Sequence, residues 1–76
     1  MNDMFPEAKR EYQFTGEQLV LEAQREHGMR VEVYARRVAN QTMTQAEADK
    51  RIAQQVAIIE ILQAHAVGRL FRVPAP

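Results

Sequence analysis

The chain has 76 residues, ten basic and ten acidic, with no cysteine and no serine. That length allows one domain whose core is marginal on its own, and the missing cysteines exclude disulfides and thiolate zinc sites as added support, which leaves a partner subunit. The balanced charge argues against a protein that lives on phosphate backbones, since these usually carry a basic excess, and no stretch approaches the roughly twenty apolar residues of a membrane span.

Residues 1–14 read as an irregular tail. Asp3, Pro6, Glu7, Lys9, Arg10 and Glu11 are polar or structure-breaking, with Phe5, Tyr12 and Phe14 scattered between them. Glu7 to Tyr12 has room for a helical turn. Asp3 and Glu7, without an apolar run, do not make a secretory signal, and with the absence of cysteine this points to the cytoplasm.

The first clear element starts at Thr15. Its hydroxyl and the side chain of Gln18 stand at capping-box spacing, and Phe14 and Leu19 occupy the positions of a hydrophobic staple. A helix is predicted from Gly16 to about Ala39. Val20, Ala23, His27, Val31, Tyr34 and Val38 recur at steps of three and four and trace one face. Gly28 interrupts the pattern at a cost of about 1 kcal/mol relative to alanine, which predicts a kink or a close helix approach. Asn40 to Met43 form a short polar connection.

Thr44 and Glu47 repeat the capping box and open a second helix, predicted from Gln45 to about Val67 with Gly68 as its stop. Ala48, Ile52, Val56, Ile59 and Ala66 form one stripe; Ile58, Ile61 and Leu62 form another beside it. The stretch Val56–Leu62 is apolar nearly all round, broken by Glu60, so it needs cover on more than one side. Beyond it, Leu70, Phe71 and Val73 lie in a short proline-ended tail.

The expected fold class is therefore all-α. An antiparallel two-helix hairpin over residues 15–68, with helices at about 16–39 and 45–67, dimerises into a four-helix bundle between irregular tails at 1–14 and 69–76. Val20, Val31, Ile52, Val56, Ile58, Ile59, Ile61 and Leu62 form its core and dimer surface. A turn centred near residues 41–42 sets Val31 near Ile52, His27 near Val56, and Val20 near Leu62 or Gln63. The alternative cover for Val56–Leu62 is the chain's own tails.

Catalytic chemistry is not expected. Without serine and cysteine a nucleophile would have to be threonine, and Thr15 and Thr44 are explained as caps. His27 and His65 stand roughly 13 Å apart along the hairpin, too far to share a metal. Gln24 and Leu62 occupy the positions where a di-metal bundle needs carboxylates. No cofactor, metal or small-molecule substrate is expected. Glu26 with Arg30, Glu32 with Arg36, and Glu47 with Arg51 read as solvated helix pairs.

What remains for function is the group Arg30, Arg36 and Arg37 beside Tyr34, the apolar excess on Val56–Leu62, and the aromatic tails. The arginines suit an acidic protein surface or phosphates; they also complement the dipole at the end of the first helix.

One resemblance bears on this. The run Glu22-Ala-Gln-Arg-Glu-His-Gly-Met-Arg-Val-Glu-Val-Tyr34, then Val38, then Met43-Thr-Gln-Ala-Glu-Ala-Asp-Lys-Arg-Ile52 and Ala57-Ile-Ile-Glu-Ile-Leu62 resembles a family of small phage- and prophage-encoded helical proteins of proteobacteria. It covers about residues 15–66. Where that family usually has a proline after the Val-Tyr step, this chain has Ala35, so its helix is expected to run on unbroken.

The resemblance implies a phage-derived homodimer in the cytoplasm of a bacterial host. It would bind a host protein and modulate or inhibit it through Arg30, Tyr34, Arg36 and Arg37. The alternative is a nucleic-acid-binding accessory protein that uses the arginines as a basic patch on a helical dimer. A third reading is a structural or assembly subunit that forms higher oligomers.

Overall fold

The computed structural model describes residues 11–75. Along the chain lie a strand β1 (Glu11–Thr15), a helix α1 (Gly16–Ala39), a helix α2 (Gln45–His65) and a strand β2 (Leu70–Pro74). Phe5 and most of the turn expected over Glu7 to Tyr12 lie outside the described residues.

Both helices start where local chemistry demands. Thr15 accepts from the Gln18 N–H at 3.1 Å, while the Thr15 N–H donates to Gln18 Oε1 at 2.8 Å. Thr44 and Glu47 repeat the exchange, each bond at 3.1 Å. Each box satisfies donors that would otherwise be orphaned at a helix start. α1 runs unbroken past Gly28 and Ala35 to Ala39. It closes with the Gln41 N–H on the Val38 carbonyl and the Thr42 N–H on the Arg37 carbonyl. That bond pattern places Gln41 in the left-handed region, at φ 62°, as a Schellman closure requires.

The helices pack antiparallel. His27 Nδ1 lies 3.1 Å from Gln55 Oε1, so the ring N–H donates to the amide carbonyl. Gly16 lies directly against the Ala66 carbonyl. The register is thus within one residue of the expected frame, which had set His27 opposite Val56. Val20, Tyr34, Ala48 and Ala66 are buried along the seam. Of the other residues expected in the core, Ile52, Ile59 and Leu62 are half-buried. Val31, Val56, Ile58 and Ile61 remain exposed, the last two at 54% and 60%. One partner helix covers one stripe, and no second layer lies over the other.

The all-α class with irregular tails is overturned. β1 and β2 form an antiparallel two-stranded sheet in which Tyr12 pairs with Val73 and Phe14 with Phe71. The cause is the hairpin register. Because Gly16 and Ala66 touch, the chain entering α1 and the chain leaving α2 emerge side by side. Gly68, at φ 83°, turns the chain. The Arg69 N–H then bonds the Ala66 carbonyl, and the Gly16 N–H bonds the Arg69 carbonyl at 2.9 Å. The Gly68 N–H donates to Glu17 Oε2 across the same junction.

The result is flat and long. The helices and the ribbon extend 53 × 31 × 13 Å, and the thinnest dimension is about one helix diameter. The radius of gyration is 17.5 Å, against about 11 Å for a compact domain of this length.

Candidate functional site

A single layer of two helices has two open faces, and one of them carries a groove. Arg30, Tyr34 and Arg37 follow one another at steps of four and three on α1 and share a stripe. Across the seam, Arg51 and Ile58 stand seven residues apart on α2. Between them lies a cleft of about 300 Å³ lined by Ala23, Arg30, Tyr34, Arg51, Gln54 and Ile58, among others. A second depression adjoins it on α1, past Met29, Val33 and Arg37.

Tyr34 is the floor of this groove. At 6% exposure its ring belongs to the helix seam, so it is not the free contact residue expected. Arg30 stands on the rim with its Nε 3.3 Å from Glu26 Oε1. The Tyr34 hydroxyl first, and Glu26 second, raise the affinity of the Arg30 guanidinium for its proton. Arg37 and Arg51 make no ion pair among the described residues. Arg36 is exposed and lines neither depression, because it lies two residues past Tyr34, on the far side of α1.

The sequence reading placed Arg51 in a surface pair with Glu47. Instead Glu47 turns to the helix start. The Thr44 backbone N–H holds its carboxyl below the usual carboxylate range, with Thr44's hydroxyl helping and Arg51 acting through space. Arg51 forms no direct pair with Glu47 and lines the groove. The Glu32–Arg36 pair is also not formed, whereas Glu26–Arg30 is. A further network, about one turn earlier on α1, joins Arg25 to Glu22 and, at 3.7 Å, to the same Glu26. The signal for Arg51 was readable only with the register in hand, since it requires residue 51 to face residue 30.

The chemistry on offer is recognition. The groove pairs an apolar floor with cationic rims, a combination that accepts apolar side chains flanked by carboxylates. His27 is engaged with Gln55 at the helix interface. His65 is exposed in the last turn of α2, where a cation favours the dipole. Among the described residues, no group of three or more histidine, aspartate or glutamate side chains is placed to hold a metal ion. No helix among them is long and apolar enough to cross a membrane. Compared with protein-family models, curated proteins and solved structures, the chain matches none.

Proposed function

We propose that this chain is a protein-binding module that works as a homodimer. It takes a partner's acidic-apolar segment into the groove between α1 and α2. The observation that carries this is the groove itself: Tyr34 and Ile58 supply apolar lining beside Arg30 and Arg51, Arg37 lines the adjoining depression, and neither Arg37 nor Arg51 forms an ion pair among the described residues. A hydrophobic centre ringed by arginine is the usual composition of a protein interface. The likeness of residues 15–66 to small phage proteins supports a bacterial host protein as that partner, which the contact would inhibit or redirect.

The test is site-specific photo-crosslinking in bacterial cells. A crosslinker at Ile58 lies in the groove. One at Glu60 lies on the opposite side of α2, because two residues turn a helix by about 200°. The expected result is one adduct formed from Ile58, absent from Glu60, and lost when Arg30, Arg37 and Arg51 are all changed to alanine. Equal labelling from both positions, or an adduct indifferent to the three arginines, would sink the reading.

A second reading rests on the same arginines. Arg30, Arg37 and Arg51 gather on one face and would be doubled in a dimer, which suits a phosphate backbone. Balanced total charge and the Glu26 carboxylate beside Arg30 weigh against it. A steep loss of duplex binding with rising salt would favour it over the protein groove.

A further inference from the structure

We propose that the outer edge of β1 is the seam of the homodimer, joining two copies into one four-stranded antiparallel sheet. This rests on the reading of the chain as self-associating and adds where the second copy sits. A two-stranded ribbon is marginal in water without further strands or a helix packed against it, and this one is tied to the helices at one end, where the Gly16 N–H bonds the Arg69 carbonyl. Here the register puts Tyr12, Phe14, Phe71 and Val73 on one face of the ribbon. Tyr12 and Val73 remain 53% and 46% exposed.

The hydrogen-bond phase of the ribbon identifies its outward groups. The Gly16 N–H bonds the Arg69 carbonyl, so bonded pairs alternate from there through Phe14–Phe71 and Tyr12–Val73. Two facts agree with that phase. The Thr15 N–H is turned outward to Gln18 Oε1, and Pro74, which has no N–H, falls at an outward position. The outward donors are therefore those of Glu11 and Gln13 on β1, and of Leu70 and Arg72 on β2.

The two edges are not equivalent. β2 is guarded, because Pro74 interrupts its donor row and a two-fold pairing centred on Arg72 would set like charges opposite each other. On β1, a two-fold centred on Gln13 sets uncharged Gln13 against its own copy. Each Tyr12 then stands opposite the other chain's Phe14, and each Glu11 opposite the other's Thr15. Thr15 adds no bond there, because its N–H is held by Gln18 and its carbonyl opens the α1 ladder as the N-cap, so the backbone bonds of the seam are the two exchanged between the facing Gln13 residues. No like charges face, the apolar strip becomes continuous across four strands, and the guarded β2 edges stop growth at two copies.

Two proline variants test the seam. Gln13→Pro removes an outward donor on β1, and Arg72→Pro removes the facing outward donor on β2. Neither N–H takes part in the ladder within the chain, so both leave it the same bonds. Light scattering behind size exclusion should give the wild type twice the 8.8 kDa chain mass. Arg72→Pro should match it, and Gln13→Pro should run as a monomer with its helical circular dichroism retained.

If Gln13→Pro loses helix, Gln13→Lys replaces it. That variant keeps the N–H and sets two cations across the two-fold, so it should dissociate the dimer at low salt and restore it at high salt. A wild-type dimer indifferent to both Gln13 variants, or dissociated equally by Arg72→Pro, overturns the seam alone. A wild type that is monomeric at every concentration overturns self-association as well. The groove crosslink is decided separately from either result.

Discussion

Gly16 and Gly28 are both helical glycines, and their surroundings set them apart. A Cβ on Gly16 would lie 1.7 Å from the Ala66 carbonyl oxygen, a backbone atom that cannot move without parting the helices. A Cβ on Gly28 would meet nothing within 4 Å. Gly16→Ala should therefore destabilise by about 3 kcal/mol, the upper part of the overpacking range. Gly28→Ala should stabilise by up to about 1 kcal/mol through helix propensity alone. Urea unfolding of both variants checks the contrast, and equal effects would contradict the close approach. The reading from sequence expected a close approach or kink at Gly28, because only Gly28 broke a visible period. Gly16 was read only as the first residue of the helix, because its neighbour lies fifty residues away in sequence.

At the scale of the element, the helices were legible and the strands were not, for one physical reason. A capping box is closed within four residues, so Thr15 with Gln18 and Thr44 with Glu47 announce two helix starts without reference to the rest of the chain. The second box also makes α2 sensitive to acid. Glu47 has its pKa held below the ordinary 4.5 by the Thr44 N–H. A carboxyl lowered by folding stabilises the fold above its unfolded pKa, and that contribution fades as pH falls through the folded value. Glu47→Gln keeps an acceptor for the Thr44 N–H and cannot titrate. Its melting temperature should fall less than the wild type's below about pH 4, and parallel loss in the two proteins would refute the link. The strands offered weaker clues. Tyr12 and Phe14 alternate with polar residues, as do Phe71 and Val73, but five residues of alternation are short. The partner strand lies at the other end of the chain, so nothing local sets the pairing.

For the whole molecule, the governing fact is thickness. A body 13 Å deep has one layer of helices and cannot enclose an interior, so Ile58 and Ile61 stay in water although they belong to the most apolar stretch of the chain. The proposed pairing at the β1 edge leaves that exposure in place but links stability to concentration. The melting temperature should then rise with protein concentration and stop rising once the dimer is saturated; a constant value would argue for a monomer. The period of the apolar residues, the two capping boxes and the short polar connection were enough to determine a two-helix antiparallel hairpin, because each depends on neighbours within a turn or two. The core was legible in part: Val20, Ile52, Ile59 and Leu62 lie on the seam, while Val31 and Val56 lie at its margin. Only the tertiary structure decided that the tails pair as a ribbon, that Tyr34 is buried at the helix seam, and that Arg51 rather than Arg36 lines the groove with Arg30. Each of those depends on how one helix is turned and slid against the other, an offset set by the contact of Gly16 with Ala66.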